Sequence, residues 1–252
     1  MVKKRMAREE LAALVERGDL KQEQGDSAGA LREYELSLKE APDDPMIWNN
    51  RGVALSSLGR YDEAMGSYRK ATELRPGYWM AWFNLGKAIH RKAGGMGGKP
   101  GLHTNGRMPP EKERTLEEAI TSYDRALSLN PAHTSTLNNK AVALRELRMY
   151  EEALLVYDEL LNIDPAYAHA WHNKGKLLEI LGLPEEADRC LEVAASLDPD
   201  LARGPEKSHP AGAGRPGRKK PIPKDVTQGP VEKGREQTEV RDVEPPRQAK
   251  RD

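Results

Sequence analysis

The chain has 252 residues, with 40 Lys plus Arg against 40 Asp plus Glu and 37% hydrophobic residues. That length holds one or two domains. No stretch reaches the roughly 18 to 20 apolar residues of a membrane span, and no apolar core of a secretory signal follows the basic opening segment 1–10. A single cysteine, Cys190, excludes an intrachain disulfide framework and a cysteine-based zinc ribbon, so a soluble, cytoplasmic protein is expected.

The zero net charge hides segregation. Residues 200–252 carry 13 basic and 9 acidic side chains, and residues 91–115 carry 6 and 2, so each segment is near +4 and the rest of the chain near −8. Basic appendages on an acidic body are suited to acidic partners, although many charge runs are simply solvated.

From Leu11 onward the chain reads as pairs of helices. Pro42 and Pro76 are 34 residues apart, as are Pro131, Pro165 and Pro199. Each proline after the first closes a similar phrase: AMGSYRKATELRP, AITSYDRALSLNP, ALLVYDELLNIDP and ADRCLEVAASLDP. In the first half of each unit Trp48 precedes Gly52, Trp82 precedes Gly86, Leu137 precedes Ala141 and Trp171 precedes Gly175. Spacings of three and four put these residues on one face of a first helix. Ala64, Tyr68 and Ala71 do the same on a second. Gly52 and Ala64 suit a close approach of two helix axes, and Gly59 and Gly182 suit left-handed caps between helices. The prolines stop each second helix. Neither helix pair buries its apolar face alone, so the units must stack.

The pattern resembles the tetratricopeptide repeat family, in which a large residue stands at position 4, Gly or Ala at 8, Ala at 20, an aromatic at 24 and Pro at 32. The resemblance implies an all-α fold, a right-handed superhelix (an α-solenoid) of about five helix-turn-helix repeats over residues 11–199. Their approximate bounds are 11–44, 45–78, 79–133, 134–167 and 168–201. The first is the weakest and keeps Leu14, Gly18, Ala30, Tyr34 and Pro42, with Lys21 on a solvated outer face. Position 7, usually apolar in the family, is Arg51, Leu85, Lys140 and Lys174 in the others. Trp48, Trp82 and Trp171 at position 4 are expected in the core.

Two segments break the period. Pro76 to Pro131 is 55 residues, which leaves a long Gly/Pro-rich insert, 92–115, between a first helix ending near Arg91 and a second resuming at Leu116. Its glycines and prolines predict a loop rather than helix. The segment GGMGGKP lacks the Ser or Thr and the preceding strand of a phosphate-cradling loop. Beyond Asp200 the chain has no Phe, Trp or Tyr and predicts a disordered, charged tail. Without a polar capping helix, the last helix would leave Leu191, Ala194 and Leu197 open for self-association. The run from Arg215 to Lys220 and the basic insert also allow an RNA or other nucleic-acid partner.

The resemblance implies that positions 2, 5, 6, 9 and 12 of the first helices face a concave groove. It selects Asn49, Asn50, Met80, Phe83, Asn84, Lys87, Asn138, Asn139, Arg145, His172, Asn173 and Lys176 as candidate partner-binding residues. The asparagines at position 6 suit a peptide backbone, since an amide both donates and accepts; they equally suit hydrogen bonds within the scaffold. Lys87, Arg145 and Lys176 favour an acidic or amphipathic segment. The Lys and Asn set that grips chaperone tails is not matched: its places hold Asn49, Val53, Asn84, Ser135 and Asn139. His169 and His172 are half of a metal site with no evident third ligand. No catalytic signature and no cofactor motif appears. The carboxylates Glu117-Glu118, Glu151-Glu152 and Glu185-Glu186 start second helices, where they complement the helix dipole. The sequence therefore predicts a non-enzymatic protein-interaction scaffold.

Overall fold

A computed structural model describes residues 8–96 and 108–203. Among them the chain forms ten α-helices and no strand: α1 Arg8–Glu23, α2 Ser27–Glu40, α3 Pro45–Ser57, α4 Tyr61–Leu74, α5 Trp79–Gly95, α6 Pro110–Leu129, α7 Thr134–Glu146, α8 Tyr150–Ile163, α9 Ala168–Ile180 and α10 Pro184–Leu197. A 3-10 turn, Pro199–Arg203, follows. Consecutive helices pack against one another, the arrangement of an α-solenoid.

Local chemistry sets the helix ends. Asp44 caps α3 by accepting from the amides of Met46 at 2.8 Å and Ile47 at 3.3 Å, with Pro45 in the first turn. Three of the inter-helix turns are closed by glycine in the left-handed region, Gly25, Gly59 and Gly182. In the fourth, Arg148 adopts the same conformation at φ 63°, which a side chain disfavours by about 1–2 kcal/mol.

Inside each helix pair the axes approach where the small residue at position 8 meets the large one at 24. A Cβ built on Gly18, Gly52 or Gly86 would fall 2.6 Å from the ring of Tyr34, Tyr68 or Tyr123 respectively. The close approach lets these tyrosines be fully buried. In the last pair Gly175 meets Leu191 instead.

Between pairs, a polar ladder accounts for position 7. Arg51 pairs with Glu35 at 3.1 Å, Lys140 with Asp124 at 2.6 Å and Lys174 with Asp158 at 2.5 Å, each reaching back to the second helix of the preceding repeat. Where position 7 is Leu85, the facing residue is Arg69, which turns to Glu118 at 2.6 Å while Leu85 is buried. These cations lie along the joints between repeats rather than in solvent.

Three expectations change. The inserted segment is helical at both ends: α5 runs on to Gly95 and α6 starts at Pro110. Proline in the first turn costs no hydrogen bond, and Ala93 is buried in the core, which carries α5 another turn. The remaining residues, 97–107, lie outside the described ones. Second, of the position-4 tryptophans only Trp171 is fully buried; Trp48 and Trp82 are partly buried and pack against the core. All three donate the indole N–H to a proline carbonyl six residues earlier (Pro42, Pro76, Pro165), at 2.7 to 2.9 Å, so they pin each first helix to the turn before it. Third, the apolar face of α10 is less open than predicted: Ala194 is buried, and Leu191 and Leu197 are half-buried. The predicted disordered tail, beyond the 3-10 turn, and the first seven residues lie outside the described residues. No helix described is long and apolar enough to cross a membrane.

Candidate functional site

The first helices of the second, third and fourth repeats bring two adjoining cavities together on one face. One, of about 370 Å³, is lined by Val53, Ser56, Ser57, Tyr61, Tyr68, Asn84, Lys87, Ala88 and Arg91. The other, of about 430 Å³, is lined by Tyr61, Lys87, His90, Arg91, Gly94, Tyr123, Asn139 and Glu146. Tyr61, Lys87 and Arg91 belong to both. Lys87 and Arg91 are four residues apart on α5, so one helix face presents both cations.

The electrostatics of this face are unbalanced. Glu146 accepts a hydrogen bond from the His90 Nε2–H at 3.1 Å and lies 3.6 Å from Lys112. That hydrogen bond, aided by the charges of His90 and Lys112, holds the Glu146 carboxyl below its usual range despite burial. Lys87 and Arg91 have no ion pair among the described residues. Much of the Lys87 side chain is exposed, yet its ammonium sits close enough to the wall that desolvation, with Arg91 beside it, pushes its pKa below the usual lysine range. Its charge rests 5.1 Å from the Phe83 ring. Phe83 in turn meets His133, which also lies against Trp79, at ring distances of 4.9 and 4.6 Å. Met80, 41% exposed, completes an apolar end to the α5 stripe whose other end is Lys87 and Arg91.

The candidate residues fall into three sets. Asn84, Lys87 and Asn139 line the joined cavities, with Met80 and Phe83 beside them on α5. Asn49, Asn50, Asn138 and Asn173 take part in hydrogen bonds along the scaffold. Asn84 donates to Asn49 at 3.0 Å, Asn173 to Asn138 at 3.3 Å, and Asn50 to Asp19 at 3.0 Å. Position 6 reaches back to position 5 of the preceding repeat wherever that residue is asparagine. Where it is Phe83, which offers no acceptor, Asn139 donates to the carbonyl of Ser135 in its own helix at 2.8 Å. His172 and Lys176 line a separate cavity of about 370 Å³ near the end of the solenoid, where Lys176 pairs with Glu179 at 3.1 Å. Arg145 is half-buried on α7, near enough to His172 to contribute to holding that imidazole below its usual range, mainly through burial.

Sequence reasoning missed Arg91 and Tyr61. Arg91 stands at position 13 of its repeat, outside the positions 2, 5, 6, 9 and 12 that the family pattern marks, although the four-residue spacing from Lys87 puts both on one helix face. Nothing in the repeat pattern marks Tyr61, which opens a second helix and turns into the groove.

A solenoid of paired helices, closed by a small-residue seam within pairs and an ion-pair ladder between them, defines the class of helix-turn-helix repeat proteins. Profiles of the tetratricopeptide repeat match residues 15–78, 58–93, 112–168 and 168–201. The chain belongs to the tetratricopeptide repeat family. Among curated relatives, the peroxisomal targeting signal receptor of Candida albicans is 38% identical over 53 residues, 21% of this chain and 9% of the receptor. The chain thus spans under a tenth of that relative. Among solved structures, MamA superposes with a TM-score of 0.61 at 21% identity, covering 79% of this chain and 98% of MamA. YrrB, described as a repeat protein with an unusual peptide-binding site, gives 0.58 at 20% identity over 75% and 88% of the two chains. At these identities the structural likeness shows the fold alone.

Proposed function

We propose that the protein is a non-enzymatic interaction scaffold that holds an acidic, partly apolar segment of a protein partner in its concave groove. The observation that carries this reading is the pair Lys87 and Arg91, shared by two adjoining cavities and unpaired among the described residues. The Lys87 ammonium is partly desolvated, and a carboxylate seated beside Lys87 and Arg91 gains charge-assisted hydrogen bonds from both. The fit of Met80 and Phe83 beside the cations favours a ligand that is acidic on one edge and apolar on the other. The peptide-binding site in the description of YrrB is in keeping with this reading. The basic residues that would serve nucleic acid fall mostly in 97–107 and 204–252, outside the described residues.

The test is fluorescence anisotropy with a labelled peptide of mixed Glu and Leu, compared with its Gln and Leu counterpart. The Glu peptide binds more tightly, and Lys87→Glu or Arg91→Glu weakens it by about tenfold or more, the scale of a charge-assisted bond. Because binding requires the ammonium, affinity falls as pH rises toward the lysine range, and it does so at lower pH than for an ordinary lysine. Equal binding of the two peptides, or no effect of either substitution, overturns the reading.

A further inference from the structure

The joints inside the solenoid supply a template for its two ends. At an internal joint, positions 3 and 10 of a first helix are sealed against the preceding repeat: Ile47 and Ala54, Ala81 and Ala88, Thr136 and Ala143, and Ala170 and Leu177 are each at most 2% exposed. In three of four joints a cation at position 7 meets an acid at position 25 of the preceding repeat.

On α1 the same stripe is Ala13, Arg17 and Leu20, and it has no repeat before it among the described residues. Leu20 is 52% exposed. Arg17 keeps a 54% exposed side chain and reaches Glu33 at only 3.4 Å, while Lys21 already holds that carboxylate at 2.5 Å. At the other end, position 25 is Glu192, exposed and without an ion pair among the described residues. It borders a cavity of about 370 Å³ with apolar walls of Leu191, Ala195 and Leu201, while His172 and Lys176 line its α9 side, where Lys176 is already paired with Glu179. Position 21, apolar in the other repeats as Leu31, Met65, Ile120 and Leu154, is here the exposed Asp188, a second acid on this end.

We propose that the occupant of this cavity is a second copy of the chain, its α1 packed on α10 in continuation of the solenoid. Arg17 meets Glu192 as Lys174 meets Asp158, Asp188 adds a second negative charge for Arg17, and Leu20 fills the space left by the small Ala195. The contact is heterologous, with different surfaces on the two copies, so it propagates head to tail rather than closing as a symmetric dimer. It uses neither Lys87 nor Arg91 and so stands independently of the proposed ligand.

Sedimentation of the full chain over a wide concentration series tests it. The average mass climbs beyond that of a dimer, and raised salt lowers it. Leu20→Asp alters an exposed position and blocks one end; Ala195→Asp blocks the other. Each alone weakens association by about tenfold or more, with the helical circular dichroism of both unchanged. Mixed together, they form a heterodimer and stop there, since one intact end remains on each. A monomer at every concentration overturns the proposal, as does an assembly that Leu20→Asp leaves intact, or a mixture of the two variants that shows no heterodimer.

Discussion

The second and fourth repeats build the same geometry from different residues. In the second, Gly52 admits the Tyr68 ring, Gly59 takes the left-handed turn, and the Tyr68 hydroxyl lies 3.3 Å from Ser56 Oγ. In the fourth, the corresponding residues are Ala141, Arg148 at φ 63°, and Tyr157, whose buried hydroxyl meets no partner among the described residues. Burial pushes the hydroxyl pKa of both tyrosines up to about 12, so each stays neutral. The second repeat thus has favourable local choices at these three places, whereas the fourth lacks all three. A repeat protein tolerates this because nearest-neighbour interfaces carry much of its stability.

Removing the ring is the strongest way to break the comparison. Tyr68→Ala and Tyr157→Ala each empty a fully enclosed site and cost about 3–5 kcal/mol in urea unfolding. If neighbours hold the fourth repeat, the two losses are similar despite the poorer local choices around Tyr157. A much smaller loss for Tyr157→Ala shows instead that its seam is loosely packed.

The turn gives a smaller effect with a definite sign. Arg148→Gly relieves a left-handed side-chain residue and raises stability by about 1 kcal/mol in thermal unfolding. A loss would mean that Arg148 contributes contacts worth more than the strain it carries.

Smallest of all is the hydroxyl. Tyr68→Phe gives up the Ser56 contact and costs about 0.5–1 kcal/mol, whereas Tyr157→Phe changes stability by less than about 0.5 kcal/mol in either direction. Equal losses would reveal a partner for Tyr157 beyond the described residues.

The repeat itself was legible because its contacts are local and periodic. Gly at position 8, an aromatic at 24 and Pro at 32 each answer a demand made within one helix pair, and a linear pattern records them. Intrinsic propensity overstates the insert: Gly94, Gly95 and Pro110 disfavour helix, while Ala93 buried in the core and proline's tolerance of a first turn extend both helices. Arg91 lies one turn beyond Lys87, at a position no repeat motif marks.

The sequence by itself therefore determined the helix pairs, their stacking and the seam between their axes, since all follow from spacing and side-chain size. Only the tertiary structure decided the fate of the polar residues. Whether an asparagine serves a ligand or the scaffold depends on the side chain 35 residues earlier in one case and on its own helix in another. Whether a lysine at position 7 is solvated or paired depends on an acid 16 residues away across a joint. Those partners are set by packing between repeats, and periodicity along the chain carries no record of them.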